Sequence, residues 1–72
     1  MVAEVIINST VKNLNKIFDY NVPAEFVGTI KVGDRILVPF GNAKKYEEGF
    51  VIGFKKESEY KIKDIASIQE RI

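Results

Sequence analysis

Branching at Cβ dominates the apolar content of this chain. Its 72 residues include ten Ile and eight Val against only two Leu. A side chain branched at Cβ loses rotamer freedom in a helix and suits the pleated surface of a strand. Five Phe and three Tyr push in the same direction. A helical core would normally draw on Leu, so the expected fold class is all-β. The length allows one domain with a thin core, since domains usually run to about 100–150 residues. Disorder is excluded: 46% of the residues are hydrophobic and the net charge is only +1.

Five strand-like runs follow from the pattern. They are Val2 to Asn8, Ile17 to Val22, Arg35 to Phe40, Gly49 to Lys55 and Tyr60 to Ile68. Pro23 closes the second run, and Pro39 ends the third or puts it at an edge. Gly53 inside the fourth run marks a bulge or bend. The last run is ambiguous, because Ile65, Ile68 and Ile72 also fit helical spacing, so Lys63 to Ile72 is a candidate short helix. The link from Pro23 to Gly33 has room for one helical turn at Ala24-Glu25-Phe26. Short strands at intervals of roughly 10–15 residues predict a small five- to six-stranded β-barrel of OB or SH3-like type, with one short helix at most.

Many chemistries are absent from the residues themselves. Without cysteine there is no disulfide, thiolate metal site or cysteine nucleophile, and without histidine the commonest general base is missing. The glycines, at 28, 33, 41, 49 and 53, fit neither a P-loop nor a dinucleotide fingerprint. The chain is therefore expected to be a binding module and not an enzyme. It has no run near the ~20 apolar residues of a membrane span. Its start, MVAEVIIN, has no basic signal-peptide region. The expectation is a soluble cytoplasmic chain with no membrane partner.

Asp19 is the residue that a plain strand does not explain. It lies between Phe18 and Tyr20 in an apolar run, where aspartate is disfavoured. Alternation puts Phe18 and Tyr20 on one face and Asp19 on the other. Asp19 is thus either a solvent-facing residue or a carboxylate held on a rigid strand to accept hydrogen bonds from a ligand. Glu47-Glu48 and Glu57/Glu59 read as solvated loop charge, and Asp34 reads as a turn residue. Aromatics at 18, 20, 40, 46, 50, 54 and 60 are interleaved with lysines at 44, 45, 55, 56, 61 and 63. That mixture suits single-stranded nucleic acid, although near-neutrality argues against a grip on many phosphates.

Three segments in order resemble one family. Ile17-Phe18-Asp19-Tyr20-Asn21-Val22-Pro23 is similar to its Phe-Asp-Tyr-x-x-Pro. Val32-Gly33-Asp34-Arg35-Ile36-Leu37-Val38-Pro39-Phe40-Gly41 resembles its Gly-x-Arg-Val-x-Val-Pro-Phe-Gly, and Glu48-Gly49-Phe50-Val51-Ile52-Gly53 its Gly-x-Val-x-x segment. The family is that of primosomal protein N′, the PriA replication-restart helicases, and the likeness is to its N-terminal domain.

The resemblance implies that residues 1–72 form a single N-terminal DNA-binding domain of a much larger bacterial helicase. ATP and zinc would belong to downstream domains, and this chain would hold no cofactor. The implied ligand is the 3′-terminal nucleotide of the nascent leading strand at a stalled fork, taken with little regard for the base. Implied partners are branched or single-stranded DNA with a free 3′-OH, the downstream helicase domains and other primosome proteins. By motif, the pocket residues are Phe18, Asp19, Gly41 and Lys63, with Lys61 as the alternative lysine. Tyr20, Lys61, Lys44 and Lys45 are additional candidate contacts. Asp19 would accept from the 3′-hydroxyl, Phe18 would pack on sugar or base, and Lys63 would meet a phosphate. Gly41 would let the backbone approach the ligand. Regular alternation opposes Phe18 and Asp19 sharing one pocket, so a bulge there or a backbone contact to the ligand is expected. The other readings of the same residues are a protein-interaction barrel and a generic single-strand binder.

Overall fold

The computed structural model describes residues 1–7, 16–41 and 45–69. It is all-β, with one five-stranded antiparallel sheet: β1 (Val2–Ile7), β2 (Ile17–Asn21), β3 (Arg35–Pro39), β4 (Tyr46–Lys55) and β5 (Ser67–Ile68), in the order β2-β1-β4-β3-β5. A single 3-10 turn at Ala24–Phe26 follows Pro23, where the helical turn was expected.

The inward face of each strand is set by period-two alternation. Ala3, Val5 and Ile7 of β1 face the core, as do Ile36 and Val38 of β3 and Val51 of β4. Phe18 and Tyr20 of β2 lie opposite Val5 and Ala3. A bulge breaks the rhythm once. Val5 pairs with Val51 and Glu4 with Gly53, so Ile52 is the extra residue on β4. Alternation restarts beyond it, and Phe54 lies opposite Ala3 and packs on the core. The turn before β3 rests on Asp34, whose Oδ2 accepts from the Lys31 N–H at 2.8 Å. Gly33 takes φ +95° there, a conformation that excludes most side chains.

The last segment closes the sheet. Asn21 N–H donates to the Lys63 carbonyl, and Ile65 N–H donates to the Asn21 carbonyl. The next residue turns to the other side: Ala66 N–H donates to the Leu37 carbonyl, and further on Gln69 N–H donates to the Arg35 carbonyl. The segment thus leaves β2 for β3 and rolls the sheet into a barrel-like shape. Tyr20 adds a cross-tie, its hydroxyl donating to the Pro39 carbonyl at 2.8 Å.

Four expectations are corrected. The predicted strand from Tyr60 to Ile68 contains only the two-residue β5 and an isolated parallel bridge between Asn21 and Asp64. Changing partners within a few residues leaves no room for a longer ladder. The alternative helix from Lys63 is absent over residues 63–69, and its remainder lies outside the described residues. Glu47 and Glu48 are not loop residues: β4 begins at Tyr46, and they pair with Val38 and Leu37. The charge of Glu48 is tolerated because it faces outward, 3.6 Å from Arg35. Finally, β2 has no bulge at Phe18-Asp19, since its register with β1 is unbroken from Ile17 to Asn21. Two strand ends also fall one residue short, at Asn21 and Pro39, and Asn8 lies outside the described residues.

Candidate nucleic-acid interface

Asp19 sits on the outward face of β2, directly opposite Glu4 of β1. Two carboxylates facing each other across a ladder repel. Lys55, at the end of β4, relieves this. Its ammonium lies 2.8 Å from Asp19 Oδ2, and its attraction extends to Glu4. Ser58 in the following loop donates to the same oxygen at 2.6 Å. Both bonds fall on Oδ2, and Oδ1 takes part in neither. The Asp19 side chain is only 9% exposed. Hydrogen bonds from Lys55 and then Ser58 hold its carboxyl below the ordinary value of 3.8, outweighing the opposing effect of burial. Its hydrogen bond to Asp19 raises Lys55 in turn, despite partial desolvation. The carboxylate is therefore charged, rigid and only half used.

Two open cavities adjoin it. The larger, about 530 Å³, is lined by Glu4, Ile17, Phe18, Asp19, Lys55, Tyr60, Lys61 and Ile62. This is within the ~300–1,000 Å³ typical of small-ligand sites. A smaller cleft of about 160 Å³ is lined by Phe18, Asp19, Tyr20, Pro39, Lys61, Ile62 and Lys63. The wall of Phe18, Asp19, Lys61 and Ile62 is common to both. Phe18 and Asp19 thus border the same space from a regular strand, with no bulge.

The remaining sequence candidates are distributed as follows. Phe18 packs edge-on against Phe40, with ring centroids 5.2 Å apart. Lys63 Nζ donates to the Gly41 carbonyl at 3.2 Å, which ties the end of the Val-Pro-Phe-Gly motif to the smaller cleft. Gly41 itself lines neither cavity. It has φ +77°, and an added Cβ would meet nothing within 4 Å. Backbone conformation, not crowding within the chain, is what calls for glycine there. Tyr20 is 5% exposed, and its hydroxyl is engaged by Pro39. Lys45 is exposed, and its carbonyl accepts from the Phe40 N–H away from both cavities. Lys44 lies outside the described residues.

Ser58 was missed by sequence reasoning, because a serine among charged loop residues gives no signal. Lys55 carried only a general one, as a lysine among aromatics. Among the described residues no cluster of potential metal ligands occurs, and no helix is long and apolar enough to cross a membrane.

Comparison with known proteins identifies the family of the chain. The 3′ DNA-binding domain (3′BD) family of PriA matches residues 4–72. The chain belongs to that family. It is 38% identical over 68 residues to the replication restart protein PriA of Bacillus subtilis, covering 94% of this chain and 8% of that protein. It is also 38% identical over 61 residues to the replication restart protein PriA of Chlamydia trachomatis, covering 81% of this chain and 8% of that protein. The chain therefore spans a small fraction of the length of these relatives. The 3′BD match takes up residues 4–72, so a helicase motor is not part of these 72 residues.

Proposed function

We propose that this domain binds the 3′-terminal nucleotide of a DNA strand and reads its free hydroxyl. The observation that carries the reading is the half-used carboxylate of Asp19. Lys55 and Ser58 occupy Oδ2 and keep the group ionised, while Oδ1 takes neither bond, in a wall between two cavities. An ionised carboxylate only accepts, and a 3′-hydroxyl is a donor of matching chemistry. A 3′-phosphate would bring negative charge against Asp19 and Glu4. The Phe18 ring gives a face for sugar or base, which tolerates any base. Lys63, held beside the Gly41 carbonyl, supplies charge for the terminal phosphate, and Lys61 on the shared wall adds a second cation. One or two phosphate contacts need no strongly basic domain.

In the whole protein, this reading makes the chain the N-terminal module that places a bacterial replication-restart helicase on the nascent leading strand of a stalled fork. Downstream helicase domains and other primosome proteins are its partners, and the bacterial cytoplasm is its compartment.

The test is an NMR titration of the 72-residue chain with a short single-stranded DNA ending in 3′-OH, and with its 3′-phosphorylated twin. Shifts clustered at Phe18, Asp19, Gly41 and Lys63 with the 3′-OH strand alone, lost in Asp19→Asn, are expected. Equal shifts with both strands would replace end reading by generic strand binding. No shifts with either would point to a protein partner instead.

A further inference from the structure

We infer that the larger cavity is a second nucleotide subsite, in which the base next to the terminal nucleotide stacks on Tyr60. This deepens the end-binding reading, which it uses only to set the register of the strand. Tyr60 is 73% exposed although it lines a cavity, and Ile17, in the same lining, is 54% exposed. Both are apolar surfaces left uncovered beside the candidate 3′-end site.

Tyr60 is also anchored to that site. Its N–H donates to Ser58 Oγ at 3.2 Å, and the same hydroxyl donates to Asp19 Oδ2. A short chain of hydrogen bonds thus fixes the root of the ring relative to the carboxylate. A strand whose last sugar lies at Asp19 continues past the wall that the two cavities share. Lys61 is exposed in that wall and borders both spaces, where the internucleotide phosphate must cross. Beyond it, Glu4 lines the larger cavity and disfavours a second phosphate there. A neutral base on an aromatic ring meets no such penalty, and stacking of this kind is insensitive to base identity.

The test uses two dinucleotides with free 3′-OH ends. One is dTpdT, and the other carries an abasic sugar at its 5′ position, so they differ only in the base assigned to Tyr60. Affinities are measured by NMR titration of the 72-residue chain. The chain is expected to prefer dTpdT by about tenfold. Tyr60→Ala should bind both ligands equally, at the level of the abasic one, and Tyr60→Phe should keep the preference. Equal binding of the two ligands by the unmodified chain would overturn the subsite. So would a preference that survives Tyr60→Ala, or no binding of dTpdT at all. Failure of end reading is seen separately, as equal binding of dTpdT with 3′-OH and 3′-phosphate ends.

Discussion

Ser58 and Asp19 lie 39 residues apart in the chain, and 2.6 Å separates their side-chain oxygens in the fold. The contact folds the loop after β4 back onto the outer face of β2. That brings Tyr60 and Lys61 to the edge of the cavity that Asp19 borders. A single hydroxyl thereby links the charge state of the carboxylate to the shape of the cavity.

Removing the partners of Asp19 should return its carboxyl toward ordinary behaviour. Its folded-state value is depressed, so the stabilisation it gives is complete above 3.8 and is lost as pH falls through the lower folded value. Ser58→Ala should move the Asp19 titration upward. Lys55→Met should move it further, since the lysine bond is the larger cause and its loss leaves Glu4 directly opposite. Carboxyl chemical shifts followed through an acid titration read both. An unmoved midpoint in Lys55→Met would contradict the assignment of Lys55 as the main partner.

The buried hydroxyl of Tyr20 should be worth about 1 kcal/mol to the fold. Tyr20→Phe keeps the ring and leaves the Pro39 carbonyl without this donor. Urea unfolding at neutral pH measures the loss. Burial raises the Tyr20 phenol above 10.0, so the folded state favours the neutral form. Its contribution is complete below 10.0 and is lost as pH rises through the folded value. The alkaline decline in stability should be shallower in Tyr20→Phe than in the unmodified chain.

Two glycines of the same strand should respond differently to alanine. A Cβ at Gly49 would meet Val5 Cγ1 at 2.6 Å and the Ile6 carbonyl at 3.0 Å, inside the β1–β4 ladder. Overpacking there should cost about 1–3 kcal/mol. At Gly53 the close neighbour is Glu4 Oε1, at 2.9 Å on a side chain able to swing away. Gly53→Ala should change stability by less than about 0.5 kcal/mol. Thermal or urea melts of the two variants side by side decide the matter, and a reversed order would contradict the packing described.

Isoleucine should matter by burial and not by type. Ile36 is fully buried between β4 and β5, so Ile36→Ala should cost about 2–5 kcal/mol. Ile17, half-exposed on the outer face, should tolerate alanine within about 0.5 kcal/mol. Urea midpoints provide the comparison. A large loss at Ile17 would mean that the outer face packs against something beyond the described residues.

Much of the fold was legible from local pattern. The excess of Ile and Val, the apolar runs in Val2–Ile7 and Arg35–Pro39, and the punctuation at Pro23, Gly33 and Pro39 are all local, and the strands follow them. Gly53 marked its bulge for the same reason. The final segment was misread because its structure depends on partners far away in the chain. Residues 63–69 bond first to Asn21 and then to Leu37 and Arg35, and no pattern within the segment encodes that switch.

The candidate site divides along the same line. Sequence alone singled out Asp19, because a carboxylate inside an apolar strand goes against propensity. It also determined which face Asp19 takes, since alternation is a property of the strand itself. Only the tertiary structure decided what that face meets. Lys55 arrives from β4 and Ser58 from the loop beyond, and Phe18 borders the same space without any bulge. A strand determines direction locally, but the neighbours of a side chain depend on how the sheet closes, and closure is a long-range event.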